Sequence, residues 1–132
     1  MGELFYSAVL CAAMFGGVAE VRTDVELSED ASHIFADCMT DTHYIEVGLD
    51  NSRSSRDSVT QAVSGAYLNG LKPMVVIIDR DGVEDTHQWE VELTATRADV
   101  DLLVVHANLA MRLAMTRYFR DRRTTFTRPL SN

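Results

Sequence analysis

The chain has 132 residues, 46% of them hydrophobic and 24% charged, and a formal net charge of −8. This length suits one domain with a single core, the composition excludes disordered and fibrous classes, and the acidic balance argues against binding nucleic acid by bulk charge. The charge is uneven, however. Residues 112–132 hold Arg112, Arg117, Arg120, Arg122, Arg123 and Arg128 against Asp121 alone, while the preceding residues carry six basic and nineteen acidic side chains.

The first apolar run, "LFYSAVLCAAMFGGVA", has small and large apolar residues all round, which predicts a helix buried on most sides and ended by Gly16-Gly17. It lacks the basic start of a secretory leader, carries Glu3, and is too short to span a bilayer. "VAEVRTDVEL" predicts a half-buried strand, and "SHIFADCM" and "THYIEVGL" predict two more, joined by the polar turn "TDT". From Ser52 the pattern changes: Val59, Ala62, Val63, Ala66 and Tyr67 recur at helical spacing until Asn69-Gly70. "MVVIID" is a continuous apolar run typical of a strand covered on both faces.

"DRDGVEDTHQWEVELTATRAD" fits either period. A helix is expected here, because two successive apolar strands running parallel need a crossover between them. "VDLLVVH" predicts another buried strand. A final helix follows with Leu109, Leu113 and Thr116 on one stripe, a basic helical tail over about 107–128. Its apolar patch around Leu109, Leu113 and Tyr118 is the surface an interaction protein would use. The order is α-β-β-β-α-β-α-β-α, a mixed sheet with helices on its faces. Cys11 and Cys38 stand in apolar surroundings without a CxxC or Cys/His spacing, which predicts reduced core thiols in a cytoplasmic protein.

The stretch "DCMTDTHYIEVGLDN" places Asp37 and Glu46 on adjacent strands, each flanked by apolar residues. Paired carboxylates half inside a sheet are costly unless neutralised. A hard cation such as Mg²⁺ or Mn²⁺ does this with oxygen ligands while keeping several waters, one of which can attack a phosphodiester. The alternative puts Asp37 at a turn cap and Glu46 against a surface arginine. Asp79, Asp81 and Glu90 fall at the first, third and twelfth positions of a calcium loop, but Glu84 stands where that loop needs glycine, so it is excluded. The four histidines show no metal-ligand spacing; His33 and His43 are expected as a cross-strand surface pair. No phosphate loop, dinucleotide fingerprint or nucleophile elbow occurs.

Residues 31–79, with "ADCM", "YIEVGL" and a helix containing Gln-Ala, resemble the core of the PD-(D/E)xK nuclease superfamily. The resemblance implies an α/β restriction-endonuclease-like mixed β-sheet flanked by helices, an α-β-β-β-α-β core with an additional C-terminal strand and helix. It makes Asp37 the motif aspartate, Glu46 the second acid and Gln61 the glutamine beside the site, with the Val47 carbonyl as a third metal oxygen. Gly48 occupies the place of the motif lysine. Arg53 or Arg56, from the following helix, would then supply a cation that stabilises charge without acting as a base. Asp57 is a further candidate for the pocket, and Glu20, Glu3 and Glu26 for an extra acid. The implied function is a metal-dependent nuclease, with Arg117, Arg120, Arg122 and Arg123 touching nucleic acid and homodimerisation to span a duplex. The alternative is a catalytically inactive nuclease-fold protein that binds nucleic acid or a protein partner.

Overall fold

The structure, a computed structural model, describes residues 2–50 and 54–116, with the backbone alone at 54–56. Helix α1 (Glu3–Leu10) runs into a π-helical turn (Cys11–Phe15) and is stopped by Gly16, whose φ of +62° lies in the left-handed region. Strands β1 (Val18–Glu26), β2 (Ala31–Met39) and β3 (His43–Leu49) follow, then helix α2 (Ser54–Asn69), β4 (Lys72–Asp79), α3 (Thr86–Arg97) and β5 (Asp101–His106). A last helix, α4, begins at 107 and continues through 116. The order matches the sequence reading, and the ambiguous segment is a helix, with Asp85 capping it by accepting from the Gln88 N–H at 2.9 Å.

The five strands form one mixed sheet in the order β1-β2-β3-β4-β5. β1, β2 and β3 run antiparallel, and β3, β4 and β5 are parallel. The parallel pairs are joined by crossovers through α2 and α3, as such pairs require. On one face Val59 and Ala62 of α2 and Val91 and Ala95 of α3 pack on Val75 and Ile77. On the other, Tyr6 and Leu10 of α1 and Ala107 and Ala110 of α4 pack on Ile45, Val47, Val76 and Ile78. This sandwiching is why "VVII" of β4 is buried without alternation; each such side chain contributes roughly 1.5–3 kcal/mol.

Several expectations are corrected. Helix α1 and its π-turn are one-sided, with Leu4 and Met14 exposed. The inward stripe of α4 is Ala107, Ala110 and Leu113, and Leu109 faces out. Val63 and Tyr67 lie on the outer side of α2, because Ala62 and Ala66 take the close approach to the sheet. β5 is an edge strand rather than a fully buried one, and Val104 is exposed. Cys11 and Cys38 are not free thiols: α1 and its π-turn lie across β2 so that the two Cα atoms come within 5.4 Å, and the residues form a disulfide. No described helix is long and apolar enough to cross a membrane.

One departure from regularity positions the site. β1 and β2 pair from Val18↔Met39 to Glu26↔Ala31, whereas β2 pairs with β3 only at Cys38↔Ile45 and Met39↔Tyr44. Beyond Cys38 the hairpin leaves the sheet as a two-stranded arm. Asn69 of α2 ties the arm back, donating from Nδ2 to Thr23 Oγ1 at 3.0 Å and to the Gly65 carbonyl at 2.8 Å. A cleft opens between arm and helix where β2 and β3 part.

Candidate functional site

Asp37 and Glu46 stand where the ladder ends. Continuing the register from Cys38↔Ile45 puts them opposite one another, and the pairs Ala19↔Cys38 and Val21↔Ala36 put Glu20 opposite Asp37. The Val47 N–H, which has lost its place in the ladder, donates to Asp37 Oδ2 at 2.7 Å. Glu46 is 6% exposed. Burial first, then the Asp37 charge, hydrogen bonding to the Asp37 carboxyl and the nearby Glu3 and Glu20 push Glu46 up to about 9, so Glu46 holds a proton at neutral pH. Glu20 adopts φ +54°, left-handed backbone that costs a non-glycine residue on the order of 1 kcal/mol.

The cleft beside this pair has a volume of about 440 Å³, within the range of small-ligand sites. Asp37, Glu46, Glu3 and Tyr44 line its inner end, His33 and Phe35 the arm side, and Thr60, Gln61 and Ser64 the helix side. Gln61 is thus brought to the acidic pair, although fifteen residues separate it from Glu46 in the sequence. Tyr44 is fully buried, its ring packed against Gly65, where an added Cβ would collide with three ring atoms. Its hydroxyl has no hydrogen-bond partner among the described residues. Burial, followed by the Glu46 and Asp37 charges, pushes it up to about 12, so it stays protonated.

Of the other sequence candidates, Glu3 reaches the cleft, while Glu26 lies near the far end of the arm, opposite Ala31. Asp57 is exposed on the first turn of α2 and does not line the cleft. Gly48 is buried in β3, so the motif lysine position holds no side chain. Arg53, the Arg56 side chain, Arg117, Arg120, Arg122 and Arg123 lie outside the described residues. His33 and His43 do not pair, because β2 and β3 have separated before His33. His33 sits opposite Asp24 and edge-on to Phe35, with ring centroids 5.3 Å apart. His43 bridges Thr42 Oγ1 and Asp101 Oδ2, each at 2.8 Å.

A second acidic group was missed by sequence reasoning. Asp50, Asp79 and Asp81 bring one ligand oxygen each within 4.8 Å of the others, and such a group could hold a metal ion. Asp79 and Asp81 belong to the excluded calcium loop. What gathers the three is the parallel register that ends β3 and β4 side by side, Leu49↔Ile78, with the Asp50 N–H bonded to the Ile78 carbonyl. The signal that could have found them is an acid at the C-terminal end of each of two adjacent parallel strands, Asp50 just past β3 and Asp79 closing β4. Their oxygens already have partners: Asp50 accepts the Arg80 N–H at 3.1 Å and Nε–H at 3.2 Å, and Asp79 accepts the Asp81 and Gly82 N–H groups. Those turn contacts explain the group without an ion.

Asp37 and Glu46 offer carboxyl oxygens of the kind a hard cation takes, beside the cleft, with Glu3 and Glu20 adding negative charge around Glu46. No protein-family model, curated protein or solved structure matches the chain.

Proposed function

We propose that the protein is a metal-dependent nuclease of restriction-endonuclease-like fold, with Asp37, Glu46 and the Val47 carbonyl holding Mg²⁺ or Mn²⁺. The observation that carries this reading is the carboxyl pair at the parting of β2 and β3. Such a pair confines a proton that a divalent cation replaces, and it opens directly onto a cleft large enough for a nucleotide. When bound, the ion supplies Lewis acidity to phosphoryl oxygens and acidifies a coordinated water.

The chain's own residues do the rest. Glu46 gives up its proton as the cation enters. Asp37 is held in place by the Val47 N–H, so its second oxygen can turn to a ligand. Gln61, on the opposite wall, offers an amide to orient a water or a phosphate oxygen. With Gly48 in the lysine position, charge stabilisation falls to Arg53 or Arg56. A second reading, a silent nuclease-fold protein that binds nucleic acid or a protein partner, is favoured by that same Gly48.

Calorimetric titration of Mn²⁺ at pH 8 tests the proposal, with cleavage of labelled DNA and RNA alongside. Binding on the order of micromolar, abolished in the Asp37→Ala/Glu46→Ala double variant but retained in Asp79→Ala/Asp81→Ala, is the expected result. No binding at millimolar metal overturns it. Binding without cleavage of either nucleic acid selects the silent reading.

A further inference from the structure

We infer that the cleft accepts a single nucleic-acid strand, stacking an unpaired base on Phe35 with His33 braced edge-on beside it, and does not grip a duplex by its phosphates; the inference rests on the nuclease reading of the same site. In β2 the residues His33, Phe35 and Asp37 alternate with Ile34, Ala36 and Cys38, which are more deeply buried. His33, Phe35 and Asp37 all line the cleft, so the strand presents two aromatic rings and then the carboxylate to it, at steps of roughly 6.6 Å. Phe35 is 47% exposed, a large apolar surface left open beside the Asp37–Glu46 carboxyl pair. The edge-on packing of His33 braces the Phe35 ring and leaves stacking surface in the cleft. A base set on this platform would place its own phosphate next to Asp37 and Glu46.

Electrostatics distinguishes a strand from a duplex. Tight duplex binding needs many lysine or arginine contacts to phosphates. Among the described residues none lines the cleft. Between residues 20 and 30 the arm carries five acids against Arg22, which Asp24 engages at 2.9 Å. An arm of that charge repels phosphates of either form, but a duplex brings more of them per length and needs cationic contacts to hold it, while aromatic stacking adds a favourable contact that only an unpaired base can make. Bases in a duplex are already stacked on each other, so only an unpaired one can use the platform. The facing wall of Thr60, Gln61 and Ser64 offers neutral donors and acceptors suited to base edges and sugar hydroxyls.

The test uses the full chain and fluorescence anisotropy of a labelled short single-stranded oligonucleotide, compared with the same sequence as a blunt duplex, with and without Mg²⁺. The wild type should bind the single strand at least tenfold more tightly. Phe35→Ala should weaken it roughly five- to hundredfold, the usual range for loss of one base–aromatic stack, and Phe35→Trp should restore it. A thermal melt confirms that Phe35→Ala, a change at an exposed position, is folded. Equal or tighter duplex binding, or a single-strand affinity unchanged in Phe35→Ala, overturns the inference even when Mn²⁺ binds. If Mn²⁺ does not bind but Phe35-dependent strand binding persists, the nuclease reading fails and the stacking platform stands.

Discussion

Glu46 in β3 and Asp50 just beyond its end are both almost completely buried, yet they are kept inside the protein by different means. Glu46 meets other acids and retains a proton; Asp50 meets the Arg80 backbone and guanidinium. A carboxylate with a cation and a backbone donor already satisfied contributes to the structure and has little to offer a ligand. A carboxyl group kept neutral by burial beside other acids is one displaced proton away from binding a metal. Burial alone therefore does not identify a functional acid; the identity of whatever neutralises it does.

This contrast is broken first at Asp50. Asp50→Ala leaves the Arg80 N–H and guanidinium without their partner and should lower stability by about 2–3 kcal/mol in urea unfolding, with Mn²⁺ affinity unchanged. Added Mn²⁺ sharpens the contrast from the other side. At a hundredfold excess over its dissociation constant it should stabilise the wild type by about 2.7 kcal/mol, an effect lost in Glu46→Gln.

The pH dependence separates the two acids further. A glutamate whose folded value is raised to about 9 contributes fully below its ordinary value, and that stability is lost as pH rises towards 9. Glu46→Gln should remove that slope, so its advantage over the wild type without metal should grow between pH 5 and 9, reaching on the order of 1–3 kcal/mol at pH 8. Guanidinium unfolding across that range reads it, and parallel curves for the two proteins would refute the assignment. The smallest effect belongs to Tyr44→Phe. Removing a buried hydroxyl that has no partner among the described residues should leave the melting temperature unchanged or raise stability by up to about 1 kcal/mol.

The element order was legible because apolar periodicity survives burial: the helix at Val59 and Ala62, the doubly covered run of β4 and the crossover through α3 follow from it. The opposition of Asp37 and Glu46 was legible because a hairpin converts sequence spacing into register. Contacts set by packing across layers were not legible. Nothing local links Cys11 to Cys38, whose pairing depends on how α1 lies across β2. Tyr44 looked like any strand tyrosine until Gly65 admitted its ring. Asp50 carries no local signal of its own, and only the parallel register brings Asp79 alongside it. The exposure of Phe35 follows from the parting of β2 and β3, an interruption that the alternating pattern does not record.

The disulfide also makes residues 11–38 a covalent ring that contains β1, the tip of the arm and β2 as far as the residue after Asp37. Closing a ring of that size removes enough freedom from the unfolded chain to be worth roughly 3.5 kcal/mol, and such bonds persist where the surroundings are oxidising. The exposed turn at 28–30 is the natural place for a protease to cut. A cut there opens the ring without dividing the molecule: α1 and β1 remain bonded to β2, and the carboxyl pair keeps its framework. A nicked protein would run as one band until a thiol reductant released a fragment of about thirty residues.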